Sequence, residues 1–142
     1  MEKETRNLLL ADLSGRVPYG VKIQVTIKDV VCQVDVYSVF NDGGVYVEDD
    51  NFIDAVDIAE VKPYLFPLSS MTEEQEEELK AILGSTPFFD NKNEVFYDMN
   101  GCSKIYLSDV QTAIDWFNKN HFDYRGLIEK GLVLDATNLN VY

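Results

Sequence analysis

The chain has 142 residues, a length at which one hydrophobic core usually makes one domain, and we expect residues 1–142 to fold as a single domain. The hydrophobic content of 46% excludes an intrinsically disordered chain, because such chains lack the apolar surface that offsets the entropy lost on ordering. The formal net charge of −13 excludes nonspecific binding to nucleic acid, which requires a basic surface to neutralise phosphates.

Targeting signals are not evident. The sequence contains no apolar run of about 18 residues, so no membrane span is predicted. The N-terminus is too charged for a signal peptide, and we expect a cytoplasmic protein. In that reducing compartment Cys32 and Cys102 are predicted to be free thiols, with Cys32 buried on the apolar face of a strand.

The first predicted element is a helix over residues 2–13. Leu9, Leu10 and Leu13 recur on one side at helical spacing. We expect the helix to end at Gly15, because glycine readily takes the left-handed conformation that closes helices.

An antiparallel hairpin follows, because the apolar period changes to two. Residues 21–27 and residues 30–40 both alternate apolar and polar side chains, as strands with one buried face do. With a two-residue turn at Lys28-Asp29, Ile23 faces Val34, and the neighbouring pairs are equally apolar. A shift of one residue would destroy this match, so the register is well specified.

A second hairpin is predicted at Asp42-Gly43, since both central residues of a type I′ turn need positive φ. This turn places Phe40 opposite Val45 and Ser38 opposite Val47. The chain therefore forms a third antiparallel strand.

A fourth strand over residues 52–57 extends the predicted meander to about residues 21–57. Beyond it, Ile58, Val61 and Leu65 have the spacing of a short helical turn. We therefore expect the meander to end before this point.

A capping box predicts the next helix. Thr72 and Gln75 have the spacing at which each side chain bonds the backbone of the other, and the acidic run of residues 73–78 suits the positive end of the helix dipole. Gly84 is placed to end this helix. The acidic run is interpreted as its solvated side rather than as a mimic of nucleic-acid phosphates.

The last third of the chain combines hairpin and helical patterns. Asn100-Gly101 predicts a second hairpin region, and residues 110–117 carry a helical apolar face. Asp123 is expected to cap a short helix over residues 124–130, and residues 132–142 to be extended.

Together these elements predict an α+β fold, in which the antiparallel meander packs against helices from the second half. We expect residues 1–70 to hold the N-terminal helix and the meander. Residues 71–142 should form the helical and hairpin portion of the same domain.

The candidate binding site is the segment of residues 120–128, which holds the only histidine, two aromatic rings and an arginine. A guanidinium recognises carboxylate or phosphate bidentately, and a tyrosine ring stacks on a flat base. The alternatives are a structural ion pair of Arg125 with Asp123 or Glu129, and a His121 that only closes the preceding helix. The predicted ligand-binding residues are Lys62, Tyr64, Trp116, His121, Tyr124 and Arg125.

One carboxylate-rich segment offers oxygen ligands of the kind that magnesium or calcium binds. It lacks the glycine and the terminal glutamate of an EF-hand loop, which favours a solvated turn. One histidine and two distant cysteines do not make a zinc site either, so no metal, no cofactor and no catalytic residue is predicted. The acidic segment comprises Asp49, Asp50, Asn51, Asp54 and Asp57.

Two segments, KPYLFPLSSMTEE from Lys62 and NKNHFDYRGLIEKGL from Asn118, resemble hallmark segments of uncharacterised small acidic proteins encoded by gut bacteria, their prophages and their phages. Residues 13–21 are similar to their N-terminal segment, whereas the sequence after Leu134 departs from the pattern. The resemblance implies a mobile-element context and carries no established activity.

This context favours a non-enzymatic binding or interference protein. Its expected partner is a small anionic, nucleotide-like signal or a host defence protein. The alternative is a small metal-dependent phosphodiester hydrolase using the acidic segment, and a structural homo-oligomer is the third hypothesis.

Overall fold

The computed structural model describes residues 1–49, 52–83 and 107–142. Within these ranges one helix precedes a run of five strands and two helices follow it, which is an α+β arrangement, so the predicted fold class is confirmed. Three short 3-10 turns connect them, at Val17–Tyr19, Ile58–Glu60 and Leu68–Ser70. The elements are α1 (Lys3–Arg16), β1 (Lys22–Ile27), β2 (Val30–Val39), β3 (Gly44–Asp49), β4 (Phe52–Asp57), β5 (Val61–Pro67), α2 (Glu73–Leu83), α3 (Leu107–Lys119), β6 (Phe122–Asp123) and β7 (Leu134–Asp135).

The strands form one mixed sheet in the order β4-β3-β2-β1-β5-β6, with β7 also paired to β5. The first five strands pair antiparallel, whereas the short β6 and β7 run parallel to β5. The predicted hairpin at Asn100-Gly101 lies outside the described residues. In the part of the chain that is described, no helix has the length and apolar character needed to cross a membrane.

The predicted register of the first hairpin is confirmed. Ile23 pairs with Val34, and Lys28 and Asp29 form the turn with φ values of 49° and 64°, as a type I′ turn requires. Cys32 is a free thiol but is only partly buried, because it lies near the turn of the hairpin, where the neighbouring Val30 and Val31 are exposed. The prediction that Cys32 is buried was therefore wrong.

The predicted register of the second hairpin is also wrong. Val36 pairs with Val47, but the register shifts before the next pair, which is Ser38 with Tyr46. A bulge at this point inserts one residue, and the turn then needs a third residue, Gly43, at φ +92°. The bulge and the longer turn compensate for each other, so the core-facing valines stay buried.

The helical turn predicted from Ile58, Val61 and Leu65 is instead a 3-10 turn followed by β5. This strand pairs with β1 through Val61 and Pro63. Strands covered on both faces lose simple alternation, and β5 has Leu65 in the α1 core and Tyr64 beneath the C-terminal segment. The spacing of Ile58, Val61 and Leu65 therefore resembles that of a helix although Val61 and Leu65 belong to a strand.

The meander packs against α1, not against helices of the second half. Leu9 and Leu13 of α1 are fully buried against the valines and isoleucines of β1 to β3, with Leu127 and Val133 completing this core. Helix α1 also runs to Arg16, beyond the predicted end, and Gly15 lies within it.

Helices α2 and α3 build a second cluster with the end of β5 and with β6. The predicted capping box of α2 is confirmed, because Thr72 Oγ1 accepts a hydrogen bond from Gln75 N at 3.2 Å and Gln75 Oε1 accepts one from Thr72 N at 2.9 Å. The buried members of this cluster are Leu68, Leu79, Leu83, Ala113, Trp116, Phe117 and Phe122.

The chain after α3 is made of turns and two short strands rather than the predicted helix over residues 124–130. The C-terminal segment also pairs with the sheet, since Ala136 N donates to Leu65 O at 2.8 Å. Val141 is buried, so residues 132–142 are an integral part of the fold.

Candidate ligand-binding site

The site begins with a charged pair on the buried side of α1. Asp12 and Arg16, one helical turn apart, both have fully buried side chains. The carboxylate accepts hydrogen bonds from Arg16 Nε at 2.8 Å and Nη2 at 3.0 Å, and Nη2 also donates to Phe122 O at 2.8 Å. A buried bidentate pair of this kind must keep both partners, because either charge alone would be uncompensated.

Arg125 joins this pair from the loop after β6. Its Nε lies 3.2 Å from Asp12 Oδ1, and its side chain remains 35% exposed. The predicted structural partners, Asp123 and Glu129, were therefore wrong for this arginine. Because Asp12 serves two guanidinium groups, the cluster of Asp12, Arg16 and Arg125 has a formal charge of +1 that faces solvent through Arg125.

Asp123 has a different role, which is to shape the loop that carries Arg125. Its buried carboxylate accepts hydrogen bonds from Leu127 N at 2.9 Å and Ile128 N at 2.8 Å. Gly126 between them takes φ +67°, which glycine adopts without strain. Lys130 Nζ then donates to the backbone carbonyl of Arg125 at 3.4 Å, so the loop folds back on itself.

Tyr124 supports both arginines with its ring. The guanidinium carbon of Arg16 lies 5.2 Å from the ring centroid and that of Arg125 lies 5.3 Å from it. Such cation–π contacts are worth about 0.5–2 kcal/mol each, depending on exposure. The ring itself packs on Phe117 at 5.6 Å, which anchors the loop to α3.

A surface cavity of about 420 Å³ lies against this loop. Ligand cavities in proteins span roughly 300–1,000 Å³, so the volume suits a small molecule. The lining residues are Tyr124, Arg125, Gly126, Glu129 and Lys130. Two cations against one carboxylate make this wall net positive within an acidic protein.

His121 lies near this site but faces another way. Its ring stacks on Tyr142 with centroids 3.6 Å apart, and its Nδ1 is buried without a hydrogen-bond partner among the described residues. Burial, followed by the charges of Arg16 and Lys22, lowers its pKa from 6.5 to about 4. The imidazole is therefore neutral at physiological pH, and His121 closes α3 through its backbone, which donates to Asn118 O.

Trp116 belongs to the core of the second cluster. It is 9% exposed, stacks on Phe122 at 5.6 Å and donates from Nε1 to Glu78 Oε2 at 3.0 Å. Its indole therefore acts as packing between α2 and α3 and reaches Tyr124 only through Phe117.

Lys62 and Tyr64 lie on the face of β5 turned away from α1, as strand alternation dictates. Lys62 is exposed there. Tyr64 is buried against Ala136 and Val141, and its hydroxyl donates to Gln24 Oε1 at 3.2 Å. Of the predicted binding residues, the structure brings Tyr124 and Arg125 together at the cavity and places the other four elsewhere.

Sequence reasoning missed Asp12, Arg16 and Lys130. A signal for the first two existed, because an acid and an arginine at i, i+4 beside the leucine stripe are placed to pair on a partly buried helix face. It was lost when the helix was predicted to end at Gly15. Lys130 had no comparable signal, since only the loop closure brings it to Arg125.

Two aspartates of the acidic segment, Asp54 and Asp57, contact other protein groups. Asp57 is engaged by Arg6, with Nη1 to Oδ1 at 2.6 Å and Nη2 to Oδ2 at 2.8 Å, and this pair lowers the pKa of Asp57 to about 2. Asp54 accepts a hydrogen bond from Ala55 N. Among the residues that the structure describes, no three acidic, cysteine or histidine side chains form a metal-binding group. Asp50 lies outside those residues.

Comparisons with protein-family models, with curated proteins and with solved structures give no match to this chain. The resemblance to small proteins of gut bacteria and their phages therefore stays a prediction. The fold and the site define an α+β protein with a cation-lined surface cavity.

Proposed function

We propose that this is a non-enzymatic protein that binds a small anionic, nucleotide-like ligand in the cavity beside Tyr124 and Arg125. The observation that carries the proposal is the position of Arg125. It is held at 3.2 Å by a buried carboxylate and lines a cavity of about 420 Å³ together with Lys130. In the mobile-element context inferred from the sequence, binding would sequester a host signal; the alternative partner, a host defence protein, would meet the same surface.

Preorganisation supports an anion over a cation as the ligand. A guanidinium that is already oriented loses little conformational entropy when a phosphate or carboxylate arrives. Asp12 cannot neutralise Arg125 completely, because Arg16 holds both oxygens of the same carboxylate. A bound anion would therefore balance the surplus positive charge of the cluster.

The global charge of −13 shapes how such a ligand binds. Long-range repulsion slows the approach of any anion, and salt screens both this repulsion and the attraction at the cavity. Binding therefore depends on short-range contacts with Arg125 and Lys130. The ligand should be small, since a polyanion would meet the surrounding acidic surface.

A binding role also agrees with the chemistry of the site. The neutral imidazole of His121 stacks on Tyr142 instead of facing the cavity, and the carboxylate of Asp57 is already paired with Arg6. The hydrolase alternative would require these groups to rearrange around a metal ion.

Isothermal titration calorimetry with inorganic phosphate and AMP tests the proposal. We expect saturable binding by the wild type and a weakening of about 10- to 100-fold in Arg125→Ala, because a charge-assisted hydrogen bond is worth about 1.5–3 kcal/mol. Lys62→Ala is the matched control, since it removes the same charge on the opposite face of the sheet.

Equal weakening by the two substitutions would mean that net charge, not the cavity, governs binding. Absence of saturable binding to both probes in the wild type would also contradict the proposal.

A further inference from the structure

A second cavity lies next to the first. Its volume is about 230 Å³, and it is lined by Glu4, Thr5, Leu8, Lys130 and Leu132. Lys130 borders both cavities, and its amine points back to Arg125 O. The two cavities therefore form neighbouring compartments along the same loop.

The first helix sets the order of these compartments. Glu4, Leu8 and Asp12 follow each other at intervals of four residues, so they lie in a row with about 5–6 Å between successive Cβ atoms. Leu8 lines the second compartment, and Asp12 holds the arginine that lines the first. Along this row the carboxylate of Glu4 comes first and the apolar side chain of Leu8 second. The guanidinium of Arg125, which Asp12 holds, comes last.

The apolar stretch consists of two aliphatic side chains, Leu8 and Leu132. Leu8 and Leu132 are partly buried hydrophobic side chains packed against the main core, and they offer no donor or acceptor to a ligand. Over these two leucines a sugar or a nucleobase edge would leave its polar groups unpaired, whereas a hydrocarbon chain would not, although Thr5, Glu4 and Lys130 give the same cavity a polar rim. Glu4, at the far end, repels a second negative charge.

We infer that the ligand of this site is a single-headed amphiphilic anion, with a phosphate or carboxylate between Arg125 and Lys130 and a short hydrocarbon chain over Leu8 and Leu132. This inference rests on the proposed anion-binding function and narrows its ligand class. It keeps the anionic head group of the proposed nucleotide-like ligand but replaces the stacked base by an alkyl chain, because Leu8 and Leu132 form the apolar part of the second cavity.

The chain-length dependence of affinity tests the inference. In calorimetric titrations with inorganic phosphate and then methyl, butyl and hexyl phosphate, we expect each buried methylene to strengthen binding about fourfold. The gain should level off once the chain extends past Leu132. Hexanoate and hexyl phosphate distinguish the two head groups.

Two substitutions separate the head from the chain. Leu8→Ala should flatten the chain-length dependence, because Leu8 lines the second cavity and would contact the hydrocarbon chain. Arg125→Ala should weaken every member of the series by the same factor. Chain-length dependence that survives Leu8→Ala and Leu132→Ala would overturn the inference.

Glu4, at the far end of the row, allows an independent test. Wild-type protein should bind octanoate more tightly than suberate, the dicarboxylate of equal length, and Glu4→Gln should narrow this difference. Equal binding of the two by the wild type would contradict the single-headed class.

Failure of the inference is distinguishable from failure of the proposed function. Phosphate or AMP binding that depends on Arg125 but gains nothing from an alkyl chain would overturn the inference and leave the anion-binding function standing. Absence of binding by every anion in the series would overturn both.

Discussion

Helix α1 supplies the arginine of two bidentate arginine–aspartate pairs whose surroundings differ. Arg6 holds Asp57 near the start of the helix, where the side chains are 28% and 46% exposed. Arg16 holds Asp12 at its end, where both are fully buried. The exposed pair ties α1 to β4, whereas the buried pair recruits a third charged residue, Arg125.

The comparison shows when a charged side chain affects residues outside its own ion pair. In water each ion has solvent as an alternative partner, so an exposed pair contributes little to stability. In the interior no such alternative exists, and Asp12 must satisfy Arg16 and hold Arg125 as well. One terminal nitrogen, Arg16 Nη1, is buried without a hydrogen-bond partner among the described residues, so this pair is already incompletely compensated.

The largest expected effect tests the buried pair. Asp12→Ala leaves the buried guanidinium of Arg16 without its carboxylate, which should lower the free energy of unfolding by about 3–5 kcal/mol. Urea denaturation followed by tryptophan fluorescence measures this change. A loss below about 1 kcal/mol would show that the buried pair behaves like a surface pair. It would contradict the difference proposed here between the two pairs.

The next effect concerns acid. The pKa of His121 is about 4 in the folded protein and 6.5 as its ordinary value, so the unfolded chain takes up the proton first. Its contribution to stability is complete above about pH 6.5 and is lost as the pH falls towards 4. We expect a loss of about 1–2 kcal/mol over this window, discounted for the partial exposure of the ring.

The control for this titration is His121→Asn, because asparagine tolerates the φ of +62° found at this position. The variant should lack the extra acid sensitivity, and an NMR titration should place the wild-type imidazole near pKa 4. An imidazole with a pKa near 6.5 would mean that burial of the ring, the main cause of the lowered pKa, does not oppose its protonation.

A smaller effect separates Arg125 from the pair it joins. Arg125→Ala should lower the free energy of unfolding by about 1 kcal/mol, because Asp12 keeps both bonds from Arg16. Thermal melting beside Asp12→Ala measures the contrast. Equal losses in the two variants would make Arg125 a structural charge and remove it from the proposed site.

The smallest effect belongs to the exposed pair. Arg6→Ala should lower the melting temperature by about 1–2 °C, and about 0.5 M NaCl should erase most of the difference from wild type. Differential scanning calorimetry in low and high salt measures it. A large shift that persists in salt would mean that Arg6 matters through its contact with Asp42 O, not through charge.

Short sequence patterns correctly predicted the elements whose structure depends mainly on residues close together in the chain. The register of β1 and β2 followed from alternation, and the capping box at Thr72 followed from spacing. The strand containing Val61 was missed because it is covered on both faces, which a short window of sequence does not reveal, and the bulge before Ser38 left the alternation of apolar residues unchanged. The loop after Asp123 was read as a helix for a similar reason, since the same cap also closes a turn.

The site was half predictable. Tyr124 and Arg125 were selected because their chemistry is recognisable from residue type alone. The groups that define their surroundings come from α1, more than a hundred positions earlier in the chain, and Asp12 acquires its role only by burial. Trp116 and His121 were chosen by the same chemical criterion, but packing against Phe122 and Tyr142 uses their rings for other purposes.

The outer strand β4 has a consequence for how copies of this chain behave at high concentration. It ends the sheet of the described residues, so one side of its backbone faces outward, and such edges promote aggregation when they are long and apolar. Here Asp54 pairs with Val47 of β3. Asp57, the last residue of the strand, forms an ion pair with Arg6. Carboxylates on such an edge oppose pairing with another chain, and the protein should remain dispersed despite exposed aromatic rings such as Tyr37 on β2.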